Sequence, residues 1–248
     1  MQPDNETYVY RAEGYCPICE TETIFSARCD WFRDHLICER CRSIPRERAL
    51  FVVLVSLFPN WRELSIHESS PAPRGGSLRM KNECACYIAT QYDLTIPFGT
   101  SHPGGAYRSE NLEDQTFADQ SFDIVITQDV MEHLFDPVQA TREIARTLRP
   151  GGAHVFSVPI VRKQEPSQRR ARLTAGEIEH LLPEQYHGNP MNEKGSLVTV
   201  DWGYDILDHL GRGGLAHSMH YIDDLSRGIR AEYIEIVVGR NLACGTMI

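Results

Sequence analysis

The stretch Ser121–Pro159, SFDIVITQDVMEHLFDPVQATREIARTLRPGGAHVFSVP, decides the fold. Phe122–Thr127 is a short apolar run rich in β-branched residues, which predicts a strand covered on both faces. Asp136 offers a side-chain oxygen as a helix N-cap. Pro137 then takes the first helical position, where its missing N–H costs nothing. Val138, Thr141, Ile144, Ala145 and Leu148 recur at helical spacing and make one face. Arg142, Arg146 and Arg149 decorate the rest, the last two near the negative end of the helix dipole. Pro150-Gly151-Gly152 stops the helix, and His154–Val158 reads as a second strand. Strand, helix and strand at this length predict a right-handed βαβ crossover with parallel, neighbouring strands.

Working outward, the 248 residues are enough to bury a full core as one large domain, or a large and a small one. The hydrophobic and charged fractions, 42% and 24%, are those of a soluble globular protein. The longest apolar stretch, Ala49–Phe58, is too short to cross a bilayer and reads as a helix ended near Pro59-Asn60. Met1–Arg11 lacks the apolar region of a secretory signal, so the expected location is the cytoplasm and the expected state of the thiols is reduced. The formal net charge of −9 argues against a general affinity for nucleic-acid backbones and makes nucleic acid an unexpected partner.

Cys16-Pro17-Ile18-Cys19 and Cys38-Glu39-Arg40-Cys41 are two CxxC pairs separated by 18 residues. Each CxxC turn can present two thiolates to one ion, and two such turns complete a tetrahedral zinc site. The alternative is a pair of turns with buried free thiols. With all four positions filled by protein, no place remains for water or substrate, so the expected zinc is structural. Cys29 has no partner at ligand spacing and reads as a core thiol. The basic segment Arg42–Arg48 follows the second pair. It reads either as a surface for an anionic substrate group or as a solvated first helical turn.

Together, Phe122-Asp123-Ile124-Val125, Glu132-His133, Asp136-Pro137 and Leu148-Arg149-Pro150-Gly151-Gly152 resemble the second half of a Rossmann-like S-adenosylmethionine (SAM)-dependent methyltransferase domain of the Methyltransf-11 type. The resemblance implies an α/β fold, a doubly wound methyltransferase sheet, here with a small N-terminal zinc ribbon. The expected division is a ribbon over residues 1–45 and a SAM domain over 46–248, with a substrate-lid insertion at 160–200. Some zinc-ribbon methyltransferases carry a similar basic segment after the last cysteine pair.

The resemblance also implies where SAM binds. Leu64–Glu68 reads as the first strand. The family's glycine-rich turn after it is replaced here by Ser69-Ser70-Pro71-Ala72-Pro73-Arg74-Gly75-Gly76. Glu68, Ser69 and Ser70 are carried over as contacts to the methionine end of the cofactor. Tyr87–Thr90 fits the second strand, after which Gln91 and Tyr92 stand where an acid usually holds ribose hydroxyls. Asp93 is a further, weaker candidate. Ala106–Arg108 reads as the third strand. Asn111 takes the position of the family's adenine-facing Asp, with Leu112 against the ring; Asn111 reads equally as a turn residue. Gln128 and Asp129 stand at the carboxyl end of the central strand, where open α/β sheets bind ligands. Asp129 is the first candidate to orient or deprotonate an acceptor. His133 reads as a structural support.

Beyond Pro159 the sequence leaves the common pattern. Arg162–Arg172 is basic, and Tyr186-His187-Gly188-Asn189-Pro190 reads as a turn. Tyr186 and His187 are the other catalytic candidates, since an imidazole suits proton transfer near neutral pH. Asp201 and Asp205 flank the same region. Tyr204–Leu210 is predicted helical. Leu215–Ile222 and Ala231–Val238 are predicted as an antiparallel pair at the sheet edge. The expected function is methyl transfer from SAM to an oxygen or nitrogen of a small molecule or glycan. The rivals are a zinc-containing RNA methyltransferase and a non-catalytic module with the same fold.

Overall fold

The computed structural model describes residues 7–189 and 192–242; residues 1–6, 190–191 and 243–248 lie outside the described residues. The chain opens with an antiparallel ribbon, β1 (Tyr10–Cys16), β2 (Thr21–Ala27) and, after the single turn α1 (Phe32–His35), the short β3 (Ile37–Cys38). Helix α2 (Pro45–Leu57) follows. Then come β4 (Ser65–Ser69), α3 (Gly75–Glu83), β5 (Cys86–Gln91), β6 (Arg108–Ser109) and β7 (Phe122–Gln128). Helix α4 (Pro137–Thr147) leads into β8 (Leu148–Ser157). The insertion after it holds short strands β9 (Gln168–Arg169), β10 (Ala171–Thr174), β11 (Glu177–His180), β12 (Tyr186–Asn189), β13 (Asn192–Leu197) and β14 (Val200–Asp201). Helix α5 (Ile206–Gly211), β15 (Ala216–His220) and β16 (Ile236–Arg240) close the fold.

The central sheet has seven strands in the order β15-β16-β8-β7-β4-β5-β6. β6, β5, β4, β7 and β8 run parallel. β16 is antiparallel to β8, and β15 to β16. The anticipated crossover is present: β7 and β8 are parallel neighbours joined by α4, and the Asp136 side chain accepts the Gln139 N–H at 2.9 Å. The predicted antiparallel edge pair is present, with the later strand, β16, wedged against β8 and β15 at the edge.

Both faces of the sheet are covered, and the alternation of side chains along a strand sorts them. Ile124 and Ile126 of β7 and Ile236 and Val238 of β16 join a cluster with α2 residues Leu50, Phe51 and Leu54. Val125 points the other way, into a cluster with Ala140 and Ile144 of α4. Val237 and Phe156 join Ile206 and Leu210 of α5. This double covering is why β7 reads as a continuous apolar run rather than an alternating one.

The ribbon shares the first of these cores: Cys16, Ile18, Phe25, Leu36 and Cys38 are buried in the same cluster as Ile66 and Ile124. Arg48 of α2 is fully buried in this seam. Its guanidinium donates to the carbonyls of Leu36 at 2.7 Å, Gly228 at 2.6 Å and Ser43, and lies 4.7 Å from the Phe25 ring centre. One arginine therefore ties the ribbon, α2 and the segment before β16 together.

Candidate functional site

The order of the sheet reverses between β4 and β7, with β5 and β6 laid down on one side and β8 on the other. A crevice opens at the carboxyl ends of the strands at such a point. The parallel registers align Ser69 with Thr90 and with Thr127, Gln91 with Ser109, and Gln128 with Ser157. Glu68, Ser69, Ser70, Gln91 and Gln128 thus stand along one edge, and Asn111 just beyond β6.

Glu68 is fully buried and satisfied by its neighbours. Ser77 donates at 2.6 Å, Tyr87 at 2.7 Å and the Gln128 side-chain amide at 3.2 Å. Burial pushes the Glu68 carboxyl up to about 6, although these three donors work in the opposite direction. Gln128 spends its N–H on Glu68, which leaves its carbonyl oxygen Oε1 buried with no partner among the described residues. An orphaned buried acceptor costs about 1–3 kcal/mol, so a donor from a bound ligand is the expected complement. Tyr87 and Ser77, which fix Glu68, were not singled out in the sequence. The period-two face of β5 marks Tyr87, but nothing local marks Ser77.

The remaining cofactor candidates are placed as follows. Ser69 is buried and Ser70 adopts φ 57°, its N–H donating to Thr90 O at 2.8 Å. Tyr92 is exposed and packs at a tilt against Phe98 with ring centres 5.5 Å apart. The Asn111 side-chain carbonyl accepts the Glu113 N–H at 3.0 Å, the turn geometry that competes with an adenine role. Leu112 is buried against the α4 cluster. Asp93 is held by Thr95 and Tyr107, and these hydrogen bonds bring its carboxyl down to about 2.

The departure from a glycine-rich turn has a structural counterpart. Gly75 opens α3 at φ +53°, and its N–H donates to Cys41 O at 3.1 Å. A Cβ there would lie 2.6 Å from Glu47 Oε2 and 3.0 Å from Ser43 Cβ. The turn after β4 is therefore pressed onto the last cysteine knuckle and onto α2, where Glu47 also binds Arg74 at 2.9 Å. Gly75→Ala is expected to cost about 2 kcal/mol, from left-handed backbone plus the clash. Chemical denaturation of the variant measures it; a loss below a few tenths would mean that the knuckle and turn are not in close contact.

Cys16, Cys19, Cys38 and Cys41 converge, every Sγ within 4.8 Å of the others. Cys16 and Cys41 are 3.9 Å apart, Cys19 and Cys38 3.8 Å. Zinc–sulfur bonds of 2.3 Å at tetrahedral angles need edges of about 3.8 Å, so the four sulfurs fit the ion. Without a cation, burial and then the neighbouring sulfur of Cys41 push the Cys19 thiol up to about 12. A divalent ion removes that obstacle by binding the thiolates. Cys29 is half-buried and outside the group.

Asp129, at φ 53° just past β7, is gripped by two arginines from the N-terminal elements: Arg33 of α1 at 2.6 Å and Arg46 of α2 at 3.0 Å. Ser157 Oγ donates at 3.2 Å. Burial alone would raise this carboxyl, but the two guanidiniums more than offset it and hold it below the usual range. A carboxylate so held is a weak proton acceptor and a strong structural clamp. Arg46 is committed to Asp129 and Asp34, which withdraws it from the substrate-facing role open to it in the sequence. Arg33 carried no local signal, because its partner lies 96 residues away.

Of the other two candidates for proton transfer, Tyr186 is exposed and donates to Glu184 at 2.7 Å. His187 lines a cavity of about 320 Å³ with Glu132, Pro159, Val161, Gln185, Val200 and Asp201. Both residues lie in strand β12, where the sequence predicted a turn. This cavity sits just beyond β7 and β8 and is roofed by the insertion, whose Thr199 N–H donates to Glu132 O at 2.8 Å. Arg162, Arg170 and Arg172, the basic run of that insertion, are paired with Glu165, Asp201 and Glu179.

Residues 97–156 match the family described as a methyltransferase domain. The chain carries a SAM-dependent methyltransferase domain. A probable SAM-dependent methyltransferase of Mycolicibacterium smegmatis is 40% identical over 111 residues, 44% of this chain and 39% of the relative. A ubiquinone biosynthesis O-methyltransferase of Cereibacter sphaeroides is 30% identical over 105 residues, 42% of this chain and 40% of the relative. The chain thus spans about two fifths of the length of the curated relatives it matches. Among solved structures, a SAM-dependent methyltransferase from Mesorhizobium loti superposes with TM-score 0.51 at 16% identity, over 77% of this chain and 97% of that one. The 1,6-didemethyltoxoflavin-N1-methyltransferase of Burkholderia thailandensis gives 0.52 at 11% identity, over 80% and 79%. These likenesses concern the fold of the methyltransferase domain. Among the described residues no helix is long and apolar enough to cross a membrane.

Proposed function

We propose that the protein transfers a methyl group from SAM to an oxygen or nitrogen of a small-molecule or glycan acceptor, with structural zinc in the four-cysteine site. In this reading residues 1–45 form the ribbon that braces the catalytic domain of 46–248, and residues 160–200 cover the acceptor. The observation that carries the cofactor assignment is the buried, unpartnered Gln128 Oε1 beside Glu68 at the switch point. It is an acceptor waiting for a donor such as the cofactor's ammonium. Ser69 and Ser70 stand beside it for the carboxylate, Gln91 and Tyr92 for the ribose, and Asn111 and Leu112 for the adenine.

When bound, SAM supplies an activated methyl on a sulfonium. The protein has to hold an acceptor in line with that methyl and take up, or pass to solvent, the one proton the acceptor loses. The cavity under the insertion has the volume of a small-molecule site. Asp129 is held ionised by its arginines and keeps the end of β7 in place. The cavity-facing cluster around His187 is the group next to the acceptor proton. The likeness to a ubiquinone biosynthesis O-methyltransferase agrees with an oxygen acceptor. The pairing of Arg162, Arg170 and Arg172 and the net charge of −9 leave the RNA reading without a free basic surface in that segment.

The test is thermal. S-adenosylhomocysteine at about 100 times its Kd is expected to stabilise the fold by ~2.7 kcal/mol. Gln128→Ala should remove most of that shift while melting close to the parent in the absence of ligand. An unmoved melting temperature at saturating SAM and S-adenosylhomocysteine would leave only the fold and retire the enzyme.

A further inference from the structure

Glu132 is the most unusual carboxylate in the protein. Its side chain is 1% exposed, and neither oxygen has a hydrogen-bond partner among the described residues. Its backbone is pinned, since Thr199 bonds its carbonyl. The methyl-transfer reading places it only as a neighbour of His187 in the cavity lining.

Two imidazoles face it. His133 Nε2 lies 3.7 Å and His187 Nδ1 3.6 Å from Glu132 Oε1, and the three ligand atoms lie within 4.8 Å of one another. His133 approaches from the turn after β7 and His187 from lid strand β12, with ring centres 5.2 Å apart. The His133 tautomer is fixed. Its Nδ1 is 2.8 Å from Leu197 O, and a carbonyl can only accept, so Nδ1 carries the proton. That leaves Nε2 to turn a lone pair toward a carboxylate and a second imidazole. A buried carboxylate and the His133 lone pair held together repel one another unless a proton or a metal cation lies between them, and with the lone pair of His187 Nδ1 turned inward the three atoms form a ligand set for a metal. A ligating histidine whose other nitrogen donates to a backbone carbonyl is the usual outer-shell arrangement of metal sites.

We propose that Glu132, His133 and His187 form a second metal site, for a divalent first-row transition cation. Metal–ligand bonds of about 2.1 Å at tetrahedral angles need edges of about 3.4 Å, so the two carboxylate–imidazole edges of 3.6 and 3.7 Å close with a shift of a few tenths, while the imidazole–imidazole edge lies within 4.8 Å. Two imidazoles and one carboxylate select zinc, iron or a neighbour over magnesium or calcium, and leave coordination positions open. Glu132 and His187 both line the cavity under the insertion, so those positions face the acceptor. Their occupant, resting on the methyl-transfer reading, is an acceptor with oxygens on adjacent carbons, which chelates the cation. Because two ligands come from the turn after β7 and the third from the lid, the cation also latches the lid.

Metal content decides it. Full-length protein is equilibrated with excess Zn²⁺, freed of loose metal by gel filtration and analysed beside Glu132→Gln, His187→Ala and the lid control His180→Ala. The parent and His180→Ala are expected to hold one zinc per chain more than the other two. Adding Zn²⁺ should raise the melting temperature of the parent and leave that of Glu132→Gln unmoved by this second equivalent. With one zinc per chain, enough for the four-cysteine site alone, Glu132→Gln should melt no lower than the parent, since it removes a buried unpaired charge. Equal zinc in all four proteins overturns the site. Should Glu132→Gln fail to fold, His187→Ala, on the half-buried lid, decides alone. No step of this test requires methyl transfer, so loss of the enzyme reading and loss of the metal site are separate results.

Discussion

Cys38→Ser, or removal of zinc by a strong chelator, is expected to unfold much more than the ribbon. The site can contribute ~10–16 kcal/mol of apparent binding energy, against a total stability for a domain of about 5–15 kcal/mol. In a ribbon hung on a linker that loss would stay local. Here Cys16, Ile18, Phe25, Leu36 and Cys38 belong to the same buried cluster as Leu50, Phe51, Ile66, Ile124 and Val238. The turn after β4 leans on the knuckle through the Gly75–Cys41 hydrogen bond. Chelation should therefore abolish S-adenosylhomocysteine binding together with the ribbon's own structure, in one cooperative transition. Circular dichroism melting with parallel zinc analysis checks it. A chelated protein that melts within a few degrees of the parent would show that the four thiols stabilise the fold without metal.

Asp129→Asn is the second large effect. It leaves Arg33 and Arg46, about 10% and 16% exposed, facing a neutral amide. Breaking one partner out of a largely buried ion cluster costs about 3 kcal/mol or somewhat more. Urea denaturation should show the midpoint falling with an unchanged slope. The sign of the pH dependence follows from the depressed carboxyl. Because the folded value lies below the unfolded one, the stabilisation is fully present above about pH 4 and is lost as pH falls through the folded value. The parent should therefore lose this margin in acid and the variant should not. A difference between the two that stays constant from pH 7 to pH 3 would assign the cost to packing rather than charge. A loss below 1 kcal/mol would mean that Asp34 takes over both arginines.

The parts of the fold that sequence made legible are those whose signals are local. The β7–α4–β8 crossover announces itself through an apolar run, a cap and a proline, and the structure has all three in place; the expected Pro-Gly-Gly stop does not end the helix, which closes at Thr147, and Leu148, Arg149 and Pro150-Gly151-Gly152 already belong to β8. The cysteine pairs are legible for the same reason, since ligand spacing within each pair is set by one turn. Helix α2 was expected from Ala49, whereas it starts at Pro45. The charged Arg46-Glu47-Arg48 reads as a surface turn, and nothing in it says that Arg48 will be fully buried among carbonyls. The insertion hid its strands because they lie outside the main sheet. In the β10–β11 hairpin only Ala171 is buried, so no period-two pattern was imposed on it.

The site shows the same division. Gln128 and Asp129 were found because they follow a recognisable strand. What Asp129 does was not, because both its partners come from the other end of the sequence. Tyr186 and His187 were singled out together, yet the structure turns one outward to Glu184 and the other to the cavity. That difference arises from neighbouring positions on a strand pointing to opposite faces. It becomes visible only once the segment is known to be a strand.

The seam between ribbon and body bears on how the chain is made. Gly14 packs against the carbonyl of Ser226, Arg33 donates to Tyr233 O at 3.2 Å, and Arg48 reaches Gly228 across 180 positions of sequence. During synthesis the cysteine module emerges ahead of the sheet, and the Gly228 carbonyl that receives Arg48 is translated 180 positions later. With zinc in the four-cysteine site as proposed, a nascent chain would carry a loaded but undocked module past most of the sheet before that module can settle. Metal capture would then precede domain closure, and starvation for the ion is expected to show as a defect of newly made protein well before it harms the mature pool.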